Sequence, residues 1–279
     1  MNDTSPAAYG SDLHLTSVTN PRLKALVRLR RRRARDEAGV TLAEGYEEVA
    51  LAVGAGIVPR TLFYCRDLML DPAAQGDLVD DARGRGAETI SLSRAAFEKV
   101  AYREGPDGFL AVLPRVGVTL ADLDVPDNAL LLIAEGIEKP GNLGAMLRSA
   151  EAAGVHAVIA VDPVTDWGNP NVIRASKGAV YAVPVATASL AEALAWLARR
   201  GIRLVATTPD TSTRHTDADL TGPLAIAVGT EKYGLTGAFL EAADERVRIP
   251  MAGAINSLNA GVAAAIVLFE AVRQRCLSG

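Results

Sequence analysis

Four short stretches hold the residues whose types and spacing could do chemistry. The first is Gly136-Ile-Glu-Lys-Pro-Gly-Asn-Leu-Gly144, in which Asn142 is placed to cap a helix, with Arg148 further along it. Six positions on an ideal helix put Asn142 and Arg148 on different sides. Arg148 is therefore expected either to reach over the mouth of a sheet or to pair on the surface with an acid such as Glu151. The second stretch is Thr207-Thr-Pro-Asp210, whose hydroxyls either bind a ligand or open a turn. The third is Gly229-Thr-Glu-Lys-Tyr-Gly234. A glycine leaving a strand lets a planar group lie against the backbone. Glu231 either accepts from an amine or caps a helix near Leu235. The fourth runs from Arg246 to Asn259. Val247-Arg248-Ile249 reads as the end of a strand that Pro250 stops. Met251–Asn256 reads as a bare loop around Gly253, and Ser257 stands where an N-cap belongs, before a long apolar helix.

What these stretches lack is also informative. None is G-x-G-x-x-G, and none ends in the Lys-Ser/Thr of a P-loop, so neither dinucleotide nor triphosphate binding follows. His156 and His215 sit in no ligand pattern, and no metal is required. Cys65 and Cys276 are the only cysteines and have no metal or redox spacing, which predicts a reduced cytoplasmic protein without a disulfide.

The elements that must position these residues are legible from the apolar pattern. Strands are expected over 129–134, 157–161, 181–185, 202–206, 224–228 and 247–249. Helices are expected over 142–153, 171–178 and 190–200, and from 260 onward. Apolar strands separated by helices at short spacing predict a doubly wound α/β domain with a parallel sheet. In such sheets ligands bind beyond the carboxyl ends of the strands, and all four stretches lie there.

The chain ahead of this domain has a different character. Residues 1–12 read as a disordered leader without the apolar run of a signal peptide. Residues 13–115 alternate strands (41–43, 61–65, 88–92, 108–114) with helices (45–55, 77–84, 94–102), giving a small α/β recognition module. A single helix over 21–36, ended by Gly39, opens this module. Residues 116–128 form a linker or edge segment, and 129–279 the second domain. No segment is a convincing membrane span.

Formal charge is −4 over 279 residues, which argues against a uniformly basic nucleic-acid binder. Yet eight basic residues lie between Arg22 and Arg35, against 33 acidic residues in the whole chain. Such a localised basic element predicts contact with a polyanion at one place. Arg22, Arg28, Arg30, Arg31, Arg32 and Arg33 are its candidate contacts.

Asn142-x-Gly144-x-x-x-Arg148, Gly229-x-Glu231-x-x-Gly234 and Ile249-Pro-Met251 with Ser257-Leu-Asn259 resemble the three motifs of SpoU/TrmH-type RNA 2′-O-ribose methyltransferases. Their order and their placement at strand ends match as well. Asn169–Gly178 resembles the family between its first two motifs. The front module, with Glu44-Gly45, resembles the ribosomal-protein-like (L30e-like) substrate-binding domain that many members carry. One departure is Ala260-Gly261 after Asn259, where other small residues are common.

The resemblance implies several properties that patterning does not reveal. The C-terminal domain would close in a deep trefoil knot, against the general rule that chains do not thread loops. Its loops would hold S-adenosylmethionine, contacted by Gly229, Ile249 and Leu258, with Met251 and Thr207 or Thr208 beside them. Arg148, Asn142, Ser257, Asn259 and Glu231 would form the catalytic group. A guanidinium is almost never deprotonated, so Arg148 is expected to orient phosphate or stabilise developing negative charge. Members are usually homodimers, and RNA, most of all 23S ribosomal RNA, would be the substrate.

Three functions compete: an RNA ribose methyltransferase acting on ribosomal or transfer RNA, another nucleotide-binding α/β enzyme, and a catalytically silent RNA-binding protein. The missing dinucleotide fingerprint speaks against the second, and the complete motif set against the third.

Overall fold

The computed structural model describes residues 13–254 and 257–278. The leader 1–12 and the end of the 251–256 loop lie outside the described residues. Two sheets organise the rest. The front sheet has the order β1-β4-β3-β5-β2, built from Leu13–Leu15, Glu88–Leu92, Thr61–Tyr64, Phe109–Pro114 and Val40–Glu44 respectively. β1, β4 and β3 are parallel, while β5 runs antiparallel to both β3 and β2.

The second sheet is wholly parallel, in the order β11-β9-β10-β6-β7-β8. Its strands are β6 (Leu130–Glu135), β7 (Ala157–Val161), β8 (Val185–Ala188), β9 (Arg203–Thr207), β10 (Leu224–Val228) and β11 (Glu245–Val247). Every residue of β6, β7 and β10 is buried, as a sheet covered on both faces requires. Alternate residues feed different cores. Leu131 and Ile133 face α8 (Leu190–Arg200) and α9 (Gly237–Ala242). Leu130, Leu132 and Ala134 face α6 (Pro140–Ala152), α7 (Pro170–Ala175) and α10 (Ala260–Ser278). This second core continues into the front domain through Val49 and Ala52, so one apolar cluster spans both halves.

Three sequence expectations need correction. The helix over 21–36 is two helices, α1 (Pro21–Arg28) and α2 (Arg32–Ala38). Arg31 is extended at the break. Buried Arg35 donates to the carbonyls of Leu29 and Arg30 there, and to both carboxylate oxygens of Asp166 at 3.1 and 3.2 Å. The break thus lets one arginine satisfy freed carbonyls and reach the other domain. Residues 181–185 are not a strand. Tyr181 ends a 3-10 turn over Ala179–Tyr181, entered through Gly178 at φ +80°, and β8 starts only at Val185. The buried Tyr181 ring packs into the shared core, which overrides its β propensity. Finally, β11 ends at Val247 rather than Ile249. Arg248 turns to the 209–217 loop, donating its N–H to Thr213 O at 2.9 Å.

The 116–128 segment packs along the edge of the second sheet. Val118 bridges Ala186 of β8, and Leu123 and Val125 are buried. In the front domain β2 is longer than expected, while α3 (Tyr46–Gly54), β3, α5 (Arg94–Val100) and β5 stop one or two residues short of their expected bounds. β1 was not anticipated from sequence. The helix expected over 77–84 begins at Pro72, where Asp71 accepts from the N–H groups of Ala73 and Ala74.

Candidate active site

The path of the chain beyond β10 builds the site. From β10 it runs through 229–236 and α9 to β11, which lies on the far side of β9. It then crosses back over the rim of the sheet to α10, which packs on α6 and β10. The returning segment roofs the carboxyl ends of β9 and β10. Beneath it lies a cavity of ≈ 480 Å³, within the range of small-molecule sites.

Thr207, Thr208, Gly229, Ile249, Met251 and Leu258 all line this cavity, as do Glu231 and Ser257. Their readiness for a ligand differs. Thr207 Oγ1 is buried and has no hydrogen-bond partner among the described residues. Thr208 Oγ1 is engaged, accepting from Asp210 N–H at 3.2 Å, so this threonine takes the turn role. The backbones of Ile249, Met251 and Leu258 make no hydrogen bond to other described residues. At Gly229 a Cβ would stand 2.1 Å from Gly234 O, so no side chain fits and the cavity floor is bare backbone. Gly253, by contrast, would place a Cβ in open space, so close approach is built at Gly229 and not there. An orphaned hydroxyl, free backbone groups and apolar walls suit S-adenosylmethionine, which carries both a polar nucleoside and an aliphatic sulfonium arm.

A polar network borders the cavity. Asn259 precedes α10, and its Oδ1 accepts from the N–H groups of Gly261 (3.0 Å) and Val262 (3.4 Å). Asn259 is therefore the cap expected of Ser257, whose own place is in the cavity wall. Asn259 Nδ2 donates to Asn142 Oδ1 at 3.0 Å and to Glu231 Oε1. Glu231 Oε2 accepts from Lys139 Nζ at 2.8 Å. The Lys139 ammonium, and then the Asn142 and Asn259 amides, hold the Glu231 carboxyl below the usual carboxylate range.

Asn142 is not a cap either. α6 begins earlier, with Pro140 in its first turn, so Asn142 lies inside the helix with its side chain free for Asn259. Glu231 caps nothing: Thr236 caps α9, and buried Glu135 accepts from the Thr236 N–H and hydroxyl at 2.8 and 2.7 Å. Sequence reasoning missed Lys139 and Glu135. The one local signal was a charged residue at each end of the 135–139 loop.

Arg148 is exposed on α6 and has no ion pair among the described residues, with Glu151 or with any other acid. It does not line the cavity of its own chain. Gly144 serves helix packing. A Cβ there would lie 2.5 Å from Ala175 Cβ on α7, so this glycine sets how closely α6 and α7 approach.

The arginines of the front domain also divide by role. Arg30 Nη2 donates to the carbonyls of Val100 and Ala101, at the end of α5 (Arg94–Val100). Arg22 pairs with Glu88, Arg33 with Glu37, and Arg32 with Asp36 and Asp166. Arg28 and Arg31 are exposed, with no side-chain partner among the described residues. Among the described residues no group of His, Cys, Asp and Glu could hold a metal ion, and no helix is long and apolar enough to cross a membrane.

Comparison with known proteins agrees with this geometry. Residues 129–269 match the model of the SpoU rRNA Methylase family, and residues 20–111 that of the MRM3-like substrate binding domain. The chain is 36% identical over 205 residues to the 23S rRNA (guanosine-2′-O-)-methyltransferase RlmB of Vibrio parahaemolyticus, covering 71% of this chain and 83% of that one. It is 34% identical to the 23S rRNA (uridine(2479)-2′-O)-methyltransferase of Streptomyces viridochromogenes, covering 88% and 86%. The AdoMet-bound rRNA methyltransferase of Sinorhizobium meliloti superposes with a TM-score of 0.85 at 29% identity, over 93% of this chain and 97% of that one. With its parallel sheet, its cavity at the strand ends and its matching catalytic half, the chain belongs to the SpoU rRNA methylase family.

Proposed function

We propose that this protein is an S-adenosylmethionine-dependent RNA methyltransferase that modifies a ribose 2′-hydroxyl in 23S ribosomal RNA, which places it in the cytoplasm. The observation that carries the reading is the cavity lined by Ile249, Met251, Ser257 and Leu258, with a Thr207 hydroxyl that has no partner among the described residues, bordered by the Lys139–Glu231–Asn259–Asn142 network. Relatives named as 23S rRNA 2′-O-methyltransferases support the substrate class.

Thr207 Oγ1 and the backbones of Gly229, Ile249 and Leu258 hold the cofactor, with Thr208 and Met251 at the margin. When bound, it supplies an activated methyl group on a sulfonium. In-line transfer then depends mainly on alignment, which is the task of the surrounding residues. Glu231, kept ionised by Lys139, is a poor base and a good acceptor. It fixes the Asn259 amide, which in turn fixes Asn142. Ser257, in the cavity wall, offers a hydroxyl to the ribose. The Arg148 guanidinium anchors phosphate and stabilises charge that develops on the ribose oxygen. Arg28 and Arg31, with the ion-paired Arg22, Arg32 and Arg33, contact RNA phosphates; Arg30 holds the scaffold around them.

Two further features belong to this reading. The returning C-terminal segment threads a trefoil knot, a path supported by the 209–222 loop bonding both Arg248 and Gln274. The protein acts as a homodimer through α10, which packs on α6 and exposes Val262 (47%) and Phe269 (49%) on one helical face. Phe269→Asp is expected to leave a monomer in sedimentation with turnover lost; an intact dimer in that variant would move the interface elsewhere.

The test of the activity is transfer of labelled methyl from S-adenosylmethionine to ribosomal and to transfer RNA, followed by alkaline hydrolysis. A ribose 2′-O-methyl group blocks cleavage at its own linkage, so label in alkali-stable dinucleotides of 23S RNA is expected. Label released in mononucleotides would mean base methylation and would sink the proposal.

A further inference from the structure

A groove of ≈ 380 Å³ opens where the two domains meet, beside the first turn of α6. Arg30, Arg32 and Tyr102 line it from the front domain; Glu138, Pro140 and Asn171 line it from the other. Tyr102 is 45% exposed, yet it is held in place from several sides. The Arg30 guanidinium lies 5.9 Å from the ring centroid and is itself pinned by the Val100 and Ala101 carbonyls. The Tyr102 hydroxyl accepts from Asn171 Nδ2 at 3.1 Å, and Asn171 Oδ1 accepts from Arg174 Nη2 at 3.2 Å. The Tyr102 N–H donates to Glu44 at 2.6 Å. Such fixing costs nothing further at the moment of binding, and an exposed aromatic left free would gain no benefit from it.

The chemistry assembled here is an exposed aromatic ring with a guanidinium over one face and an amide at its hydroxyl edge. Unpaired nucleobases are recognised by this combination, through stacking and hydrogen bonding at the base edge. Bases inside a duplex present no free face to a ring. The groove lacks the apolar core of a protein-docking surface: beside Tyr102 only Val164 and two prolines are apolar, and the rest of the lining is charged, hydroxyl or amide. Its position relates it to the reaction. Pro140 lines the groove, and Asn142, in the same first turn of α6, faces Asn259 at the active site.

We infer that Tyr102 is a stacking platform for an unpaired RNA nucleotide adjacent to the one modified, received in the groove between the domains. This rests on the RNA methyltransferase reading above. The platform explains how a ribose within a folded RNA is presented: the neighbouring base is taken out of its stack onto Tyr102, while the arginines of the front domain hold the flanking phosphates.

The test uses the full chain and two probes, a labelled single-stranded oligoadenylate eight-mer and a blunt RNA duplex of eight base pairs. Binding is followed by fluorescence anisotropy. Loss of a stacking side chain typically weakens single-strand binding roughly 5- to 150-fold. Tyr102→Leu is expected to show that loss for the eight-mer and none for the duplex, and Tyr102→Phe to stay within about twofold of wild type. Melting temperature and S-adenosylmethionine affinity, measured on the same samples, should match wild type in both variants. As a second readout, Tyr102→Trp should be quenched by the eight-mer and not by the duplex. Wild-type eight-mer affinity in Tyr102→Leu, or an equal loss for the duplex, overturns the platform. The two readings can fail separately. Wild-type protein that transfers no methyl to ribose but binds the eight-mer through Tyr102 loses the activity and keeps the groove. Normal transfer with an unchanged KM in Tyr102→Leu loses the groove alone.

Discussion

At the scale of single residues, two side chains separate binding from framework. Thr207 Oγ1 is buried against the cavity without a partner among the described residues, a costly arrangement unless a ligand completes it. Thr207→Val keeps the shape and removes the hydroxyl. We expect it to weaken S-adenosylmethionine by about threefold to tenfold in calorimetry, the worth of one hydrogen bond. Undiminished affinity would show that the hydroxyl faces no ligand. Asn259 has two jobs, and two substitutions part them. Asn259→Ala removes the cap on α10 and should cost about 1 kcal/mol of stability. Asn259→Asp keeps the capping oxygen but replaces the amide donor that Asn142 and Glu231 receive with a second carboxylate beside Glu231. Turnover should then fall while the cap holds, and a fully active Asn259→Asp would remove the network from the reaction.

At the scale of elements, α10 is the strut on which the site depends, and its far end is held electrostatically. Glu270 accepts from Arg273 Nε and Nη2, both at 2.8 Å, and from Gln274 Nε2 at 2.8 Å. Gln274 Nε2 also donates to Ala218 O, and its Oε1 accepts from Leu220 N–H, tying the helix to the 209–222 loop. The Arg273 guanidinium above all, helped by Gln274, lowers the Glu270 carboxyl from 4.5 to about 2. A depressed acid stabilises the fold above its unfolded value and loses that contribution as pH falls through its folded value. Stability should therefore decline between pH 4.5 and about 2 on account of this group. Glu270→Gln should flatten that part of the acid limb in urea titrations at successive pH values. An acid limb of the same slope in both proteins would assign the decline to other carboxylates.

At the scale of the molecule, the two domains are joined by a shared apolar core and a few polar clasps. Lys177 pairs with Glu47 at 2.9 Å, on the exposed surface, where such a pair contributes little. Arg35 is different: it is 3% exposed, and Asp166 and two carbonyls are its partners. Arg35→Met is expected to destabilise the protein by about 3 kcal/mol in chemical denaturation, because it leaves Asp166 only the exposed Arg32 at 3.8 Å and strands the Leu29 and Arg30 carbonyls. A loss below about 1 kcal/mol would mean that water reaches these groups. The groove that carries Tyr102 lies along the same seam, so the variant should also weaken single-stranded RNA binding.

The parallel sheet, its apolar strands and the four loops at its carboxyl rim were legible in the chain alone. Each follows from a local pattern: continuous apolar runs for strands buried on both faces, and glycine or proline where they stop. Leu190–Arg200 and Leu224–Val228 could be bounded to the residue for the same reason. The family motifs likewise marked the lining of the cavity at Gly229, Ile249 and Leu258. What the tertiary structure decided was which side chains meet. Asn259 and Asn142 are 117 positions apart, and Lys139 and Glu231 are 92 apart. No local rule could show that Asn259 rather than Ser257 caps α10, or that Glu231 accepts from Lys139 rather than capping a helix near Leu235. The break between α1 and α2, and the turn at Tyr181, were likewise set from a distance, by Asp166 and by the core between the domains. Backbone preference is a property of neighbours along the chain. The partner of a polar side chain is a property of neighbours in space.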